Sequence, residues 1–195
     1  AAKTPSAGDW IGVAFSPDVT AGNVMDRVTI EFAGNSNRFG TGVEAAVGID
    51  GVQSGRITIT NCTFRKNKGV AVHSLAETAS FAKLDGNLVQ DSVKHSLELH
   101  ANTLGSVGAA NKLDKPVRIE GRVLTTQSWP KLDQPLVIGA LEIGPDKGDA
   151  TLTIAPTTTL KMEQGVGIHV GLHEGSGGLV AKNVVFTSAA ATPAA

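Results

Sequence analysis

The chain has 195 residues, with 17 Lys and Arg against 18 Asp and Glu and a formal net charge of −1. That balance leaves no basic stripe to follow a phosphate backbone, which argues against a nucleic-acid partner, and no apolar run reaches the roughly 18 residues that a membrane-spanning helix needs. Twenty-three glycines, 4% aromatic residues and no tyrosine favour short strands joined by tight turns over helices, and the length suits one domain over residues 1–195.

In chain order, Trp10 to Phe15 alternates apolar and small residues and predicts a strand. Asn23 to Asp26 reads as a turn, Val28 to Phe32 as a second strand, Asn35 to Gly42 as a polar loop, and Val43 to Ile49 returns to apolar spacing. Ile57-Thr-Ile-Thr-Asn-Cys-Thr-Phe64 is the clearest stretch. Ile57 and Ile59 alternate with threonines, so one face is apolar and the other carries hydroxyls. Asn61 breaks the alternation, Cys62 and Phe64 restart it in a shifted phase, and Asn67 with Gly69 makes a second corner before Val70 and Val72. Strand, bend, strand, turn, strand is one coil of a parallel β-helix. Cys62, the single cysteine, falls on the apolar side and reads as a buried small hydrophobe.

Self-similarity supports the coil. Leu179 to Phe186 overlays Ile57 to Phe64 without a gap, placing Asn183 on Asn61 and Phe186 on Phe64. Val117 to Leu124 overlays with Gly121 at the bend, Phe81 to Leu88 with Asp85-Gly86-Asn87 there, and Leu152, Ile154, Pro156, Leu160 and Met162 make a further copy. Stacked carboxamides at the Asn bend would bond one another while tolerating unusual φ and ψ. Gln127 to Gln134, with Pro130, reads as an inserted loop, and Ala71 to Ala82 and Ala101 to Ala110 have room for a short helical turn. The expected class is all-β, with Phe64, Leu88, Leu124 and Phe186 inward.

Gly8-Asp9-Trp10-Ile11-Gly12-Val13, Val28 to Gly34, and Ile59 to Phe64 with Asn67-Lys68-Gly69 resemble the right-handed parallel β-helix repeats of secreted bacterial surface proteins. Leu152 to Pro156 with Leu160 to Met162, and Gly178 to Ala181 with Val185 to Ser188, are similar to further repeats of that family. The resemblance implies a right-handed parallel β-helix of roughly six to eight coils, in a secreted or cell-surface setting. It says little of activity, because pectin-cleaving lyases, adhesins and phage spikes share the architecture. Thr157 or Thr158 departs from the repeat, which places glycine after Ala-Pro. In such repeats the Val-Phe-Thr-Ser strand leads through a Pro-containing turn to Gly-Asp-Trp, so the expectation is a stretch of a longer solenoid whose open ends pair with neighbouring coils.

A lyase of this fold would use an Arg or Lys base near carboxylates that hold Ca²⁺ or a uronate carboxyl. Arg65 and Lys66, with Asp85 and Asp91, are the catalytic candidates, and His73, Glu98 and His100 fall within reach of the same face. The paired-aspartate signature of such enzymes is absent, since Ile11-Gly12 follows Trp10. His169 and His173 are the metal candidates. On an extended strand they stand roughly 13 Å apart, too far for one zinc ion. Trp10 and Trp129 are too few for an aromatic sugar platform, Gly175 to Gly178 lacks the Lys and helix of a phosphate cradle, and Thr58/Thr60 with Thr151/Thr153 is too short an array for ice.

The expected function is therefore a non-catalytic structural or adhesive module of a larger protein. A polysaccharide-binding or polysaccharide-cleaving domain is the alternative. The partners would be a polysaccharide or another surface protein. No cofactor motif is present, and Ca²⁺ is the ion the alternative would use.

Overall fold

The computed structural model describes residues 4–35, 44–51, 55–77, 80–172 and 174–190. In chain order the strands are β1 (Val13–Phe15), β2 (Asn23–Asp26), β3 (Thr29–Glu31), β4 (Ala45–Ile49), β5 (Ile57–Thr60), β6 (Thr63–Arg65), β7 (Val70–Ser74), β8 (Lys83–Asp85) and β9 (Leu88–Val89). They continue as β10 (Leu97–His100), β11 (Val117–Val123), β12 (Gln127–Trp129), β13 (Leu136–Ile143), β14 (Asp149–Ile154), β15 (Thr159–Met162), β16 (Ile168–Val170), β17 (Ser176–Ala181) and β18 (Val185–Ser188). A 3-10 helix, Ala101–Ser106, follows β10, its first turn capped by the His100 ring, which accepts from the Asn102 N–H. Among the described residues the class is all-β with long parallel sheets, an arrangement compatible with a parallel β-helix.

The main sheet runs β1-β4-β7-β10-β11-β13-β15-β18, with β16 on the far half of β13. Its pairings are parallel and keep one ladder in register: Val13 opposite Val47, then Val72, Leu97, Val117, Leu136, Leu160 and Phe186. Each circuit therefore leaves this sheet and returns one strand further along. The circuit length varies, from 34 residues between Val13 and Val47 to 19 between Val117 and Leu136. Three smaller parallel sheets, β2-β5-β8, β3-β6-β9 and β12-β14-β17, stand against the same interior.

Ile57, Ile59, Phe64, Leu84, Val89, Leu152 and Ile154 from these sheets pack in one apolar cluster with Val47, Val72, Leu97, Val117, Leu136 and Leu160. Each such side chain withdrawn from water contributes about 1.5–3 kcal/mol, which is what holds together a wall built of three- and four-residue strands. In β4 and β7 every residue is buried, so both faces of the main sheet are covered there, as continuous rather than alternating apolar runs require.

The corners rest on single residues in the left-handed region. Arg27, Asn61 and Asn183, with φ of 56°, 54° and 55°, turn the chain after β2, β5 and β17; Phe32, Lys66 and Asp91, at 59°, 55° and 62°, do so after β3, β6 and β9. Asn tolerates this conformation, whereas Arg27, Phe32 and Lys66 are held in it by the strands they join. Thr157 also takes it, at φ 64°, so the departure from the glycine pattern changes the residue and not the left-handed bend.

Several expectations need correction. Asn23 to Asp26 is a strand, because its backbone is templated by β5, and the expected loop at Gln127 begins with strand β12, in which Trp129 is 1% exposed. Val117 to Leu124 does not share the wall of Ile57: β11 lies in the main sheet, and its resemblance to β5 comes from the strand period alone. Phe81 to Leu88 is displaced by one residue, since Thr58 pairs with Lys83, and this makes Gly86 the counterpart of Asn61. Leu88 faces out while Val89 is buried, Leu124 is half-buried, and Phe186 is half-exposed because β18 has a partner strand on one side only. The overlay of Leu152 on Leu179 is the observed register. Ala101 begins a short helical turn, whereas the stretch from Ala71 opens in strand β7. The loop expected at 35–42 lies, apart from Asn35, outside the described residues.

The asparagine bonds run differently from the expectation. Asn61 and Asn183 are exposed, and Asn61 donates to Asp26 Oδ1 at 2.8 Å. The buried carboxamides sit elsewhere. Asn67 accepts from the Ala33 N–H at 2.9 Å and donates to the Ile30 carbonyl at 3.0 Å; Asn87 accepts from the Cys62 N–H and donates to Ile59 O and Asn111 Oδ1. These side chains replace backbone partners where the chain turns between sheets, which keeps buried N–H and C=O groups paired.

Candidate functional site on the main sheet

Alternation along β7, β10 and β11 sends Val72, Leu97 and Val117 into the core and His73, Glu98 and Arg118 to the other face, where parallel register sets them side by side. Gly48 precedes His73 in this row, and Val137 and Lys161 follow Arg118. Neighbouring strands lie about 4.8 Å apart, so the three ionisable groups form one connected system.

Glu98 is its centre. The His95 ring nitrogen Nδ1 lies 3.0 Å from Glu98 Oε1, and this hydrogen bond holds the carboxyl below the usual glutamate range. Arg118 bridges Glu120 at 2.6 Å and Glu163 at 3.1 Å. His73 is buried, its Nε2 has no hydrogen-bond partner among the described residues, and the loss of solvent pushes its pKa down. His100 is likewise depressed by burial. Its ring fills the space over Gly121, where an added Cβ would collide with Nε2.

Beside this row lies a groove of about 330 Å³ lined by Lys94, His95, Val137, Glu163, Gln164, Ala189 and Ala190. The Lys94 ammonium and the Gln164 amide have no side-chain partner among the described residues, while Glu163 is held by Arg118. A buried imidazole, a paired carboxylate, a free ammonium and a free amide are the donors and acceptors that a hydroxyl- or carboxylate-bearing ligand would meet.

The residues singled out from the sequence lie elsewhere. Arg65 bonds Glu31 at 2.7 Å on the β3-β6-β9 sheet, and Lys66 stands 3.9 Å from the same carboxylate with its ammonium 5.4 Å from the Phe32 ring centre. Asp85 closes β8 on a different sheet, accepting from the Ala110 N–H at 3.0 Å, with Lys83 at 3.8 Å. Asp91 occupies the left-handed bend one strand beyond that of Lys66, so three of the four border one edge and Asp85 belongs to another. His169 is exposed on β16 opposite Glu142; His173 lies outside the described residues. Among the described residues no group of three His, Cys, Asp or Glu side chains is placed to hold a metal ion. Nor, among the described residues, is any helix long and apolar enough to cross a membrane.

No family model, curated protein or solved structure matches the chain.

Sequence reasoning placed His73, Glu98 and His100 near the Arg65 face and missed His95, Arg118 and Glu163. The signal lay in Leu97-Glu-Leu-His100 and Val117-Arg-Ile-Glu120. Overlaid as alternating strands with Val70-Ala-Val-His73, they bring Glu98, Arg118 and His73 onto one face. Lys94, Gln164 and Ala189 come from turns, and no periodicity marks them.

Proposed function

We propose that the chain is a right-handed parallel β-helix of roughly six to eight coils that serves as a non-catalytic structural or adhesive module of a larger secreted or cell-surface bacterial protein. One observation carries the reading: the ladder from Val13 to Phe186 continues in register through eight parallel strands while circuit length changes from 34 residues to 19. Such a rod tolerates loops of any length at its corners and keeps its wall, which is the property an extended scaffold needs. On the outer surface several strand-borne charges are neutralised locally, as in Arg65 with Glu31 and Arg118 with Glu120 and Glu163.

The groove at Lys94, His95 and Glu163 favours a second reading, in which the module binds or cleaves a polysaccharide there, with or without Ca²⁺. Incubation with a panel of acidic polysaccharides, each with and without Ca²⁺, separates the two. The structural module leaves polymer length unchanged and migrates unretarded through gels containing each polymer. Shortened polymer, or retardation abolished by Lys94→Glu, transfers the assignment to the second reading. Inter-strand NOE contacts test the coil itself: their absence between successive ladder positions such as Val72, Leu97 and Val117 would reject the β-helix.

A further inference from the structure

His95 stands in the turn before β10, three residues ahead of Glu98, and its Nδ1 lies 3.0 Å from Glu98 Oε1. A carboxylate only accepts, so Nδ1 carries the hydrogen, and in the neutral ring the lone pair is left on Nε2. That nitrogen has no hydrogen-bond partner among the described residues, and unlike His73 Nε2 it is not sealed from solvent. The residue is only 3% exposed, and the ring lines the groove together with Lys94, Val137, Glu163 and Gln164. A buried imidazole with one nitrogen fixed by a carboxylate and the other open to a cavity is a proton acceptor held in place. Two observations narrow what the groove takes. Around it Lys94, Arg118 and Lys161 stand against Glu98, Glu120 and Glu163, so the formal charges cancel and nothing favours a polyanion over a neutral ligand. Glu98 is held by His95 and Glu163 by Arg118, so among the described residues the groove lacks the free pair of carboxyl groups that glycosidic cleavage uses.

We propose that the groove hydrolyses an O-acyl ester on a neutral carbohydrate, with His95 as general base, Glu98 as its positioning residue, and Lys94 and Gln164 as donors to the carbonyl oxygen. This rests on the second reading, in which the groove takes a polysaccharide, and goes further by naming the bond that is cut. His95 Nε2 takes a proton from a water molecule as the water oxygen bonds to the acyl carbon. The carbonyl π pair moves onto oxygen, where the Lys94 ammonium and the Gln164 amide N–H donate to the developing charge. On collapse the C–O bond to the sugar breaks and the leaving oxygen takes the proton from Nε2. A carboxylic acid and an alcohol are formed, and the ring returns to its starting state. Val137 and Ala189 offer the acyl methyl an apolar wall.

The test incubates the 195-residue chain with O-acetylated glucomannan and follows released acetate and polymer length together. Acetate should appear while length stays constant, and 4-nitrophenyl acetate should be hydrolysed at least about a hundredfold faster than by free imidazole at the same concentration. His95→Gln should lose at least about a hundredfold in kcat/KM. Glu98→Gln should lower kcat at least about tenfold with KM little changed, whereas a loosened groove would raise KM; Glu98→Asp, which keeps the charge, should recover part of the loss. Circular dichroism sets the folded fraction of each variant. Lys94→Ala changes an exposed residue, serves if the buried variants do not fold, and should lower kcat at least about tenfold. Acetate release no greater than that given by free imidazole overturns the proposal, as does release that His95→Gln or Lys94→Ala leaves unchanged, or polymer shortened with its acetyl groups retained. Retardation in glucomannan gels that Lys94→Glu abolishes, with no acetate released, leaves the second reading standing and removes the ester assignment alone; neither retardation nor release removes both.

Discussion

Asn87 Nδ2 lies 2.9 Å from Asn111 Oδ1, two buried carboxamides on successive circuits that join the turns following Leu84 and Gly108 to one another. Asn111 in turn donates to the Leu84 and Gly108 carbonyls, and Asn87 Oδ1 takes the Cys62 N–H. The pair thus closes the hydrogen bonds of a corner in which the backbone has no strand partner.

Replacing Asn87 by Ala removes the partners of the Cys62 N–H and the Ile59 carbonyl in a site that water does not reach. The expected loss is about 2–4 kcal/mol, measured by urea unfolding, since each orphaned buried group costs about 1–3 kcal/mol. A loss below about 1 kcal/mol would mean that the corner is open to solvent.

Phe64 and Phe186 overlay in the sequence motif, but the structure sets Phe64 on β6 of the β3-β6-β9 sheet and Phe186 on β18 of the main sheet, and they differ in cover, at 1% and 47% exposure. Phe64→Ala should cost about 3–5 kcal/mol as a buried large-to-small change. Phe186→Ala, read in dilute solution, should cost less than about 1.5 kcal/mol. Equal losses would contradict the edge position of β18.

Cys62 is buried, with its Sγ facing the Met25 and Thr60 carbonyls, and burial pushes its thiol pKa up. A chromogenic disulfide reagent should react with it only after denaturation, because the thiolate is the reactive form. Rapid labelling of the folded chain would place the side chain on the outer face of its turn.

Acid should unfold the protein in two stages. His73 and His100 are held below the ordinary histidine value by burial. Between the folded and unfolded values the unfolded chain binds more protons, so the unfolding free energy rises with pH there. Their contribution is complete above about pH 6.5 and is lost as pH falls below it. Glu98, depressed first by its bond from His95, adds a loss below its ordinary value of 4.5. Urea midpoints should therefore hold from pH 8 to 7, decline from about 6.5, and decline again under about 4.5. The variant His73→Gln should flatten the first decline; an unchanged profile would show that His73 titrates as in the unfolded chain.

The strands at Ile57, Val70, Leu152 and Leu179, the left-handed bends at Asn61 and Asn183 and the inward Cys62 were legible in the sequence, because alternation and a tolerant bend residue are local properties of the chain. A strand's period of two marks an inner and an outer face but does not say which wall the strand joins, so Val117 to Val123 could be placed only once β10 and β13 were on either side of it. Asn23 to Asp26 looks like a turn and becomes a strand because β5 supplies its hydrogen bonds, and Trp129 is drawn inside by the same wall. The row of His73, Glu98 and Arg118 depends on circuits of unequal length arriving in register. Circuit length is set by how corners fold and where buried side chains such as Asn87 and Asn111 substitute for backbone, interactions between residues some twenty-five positions apart that only the tertiary structure decides.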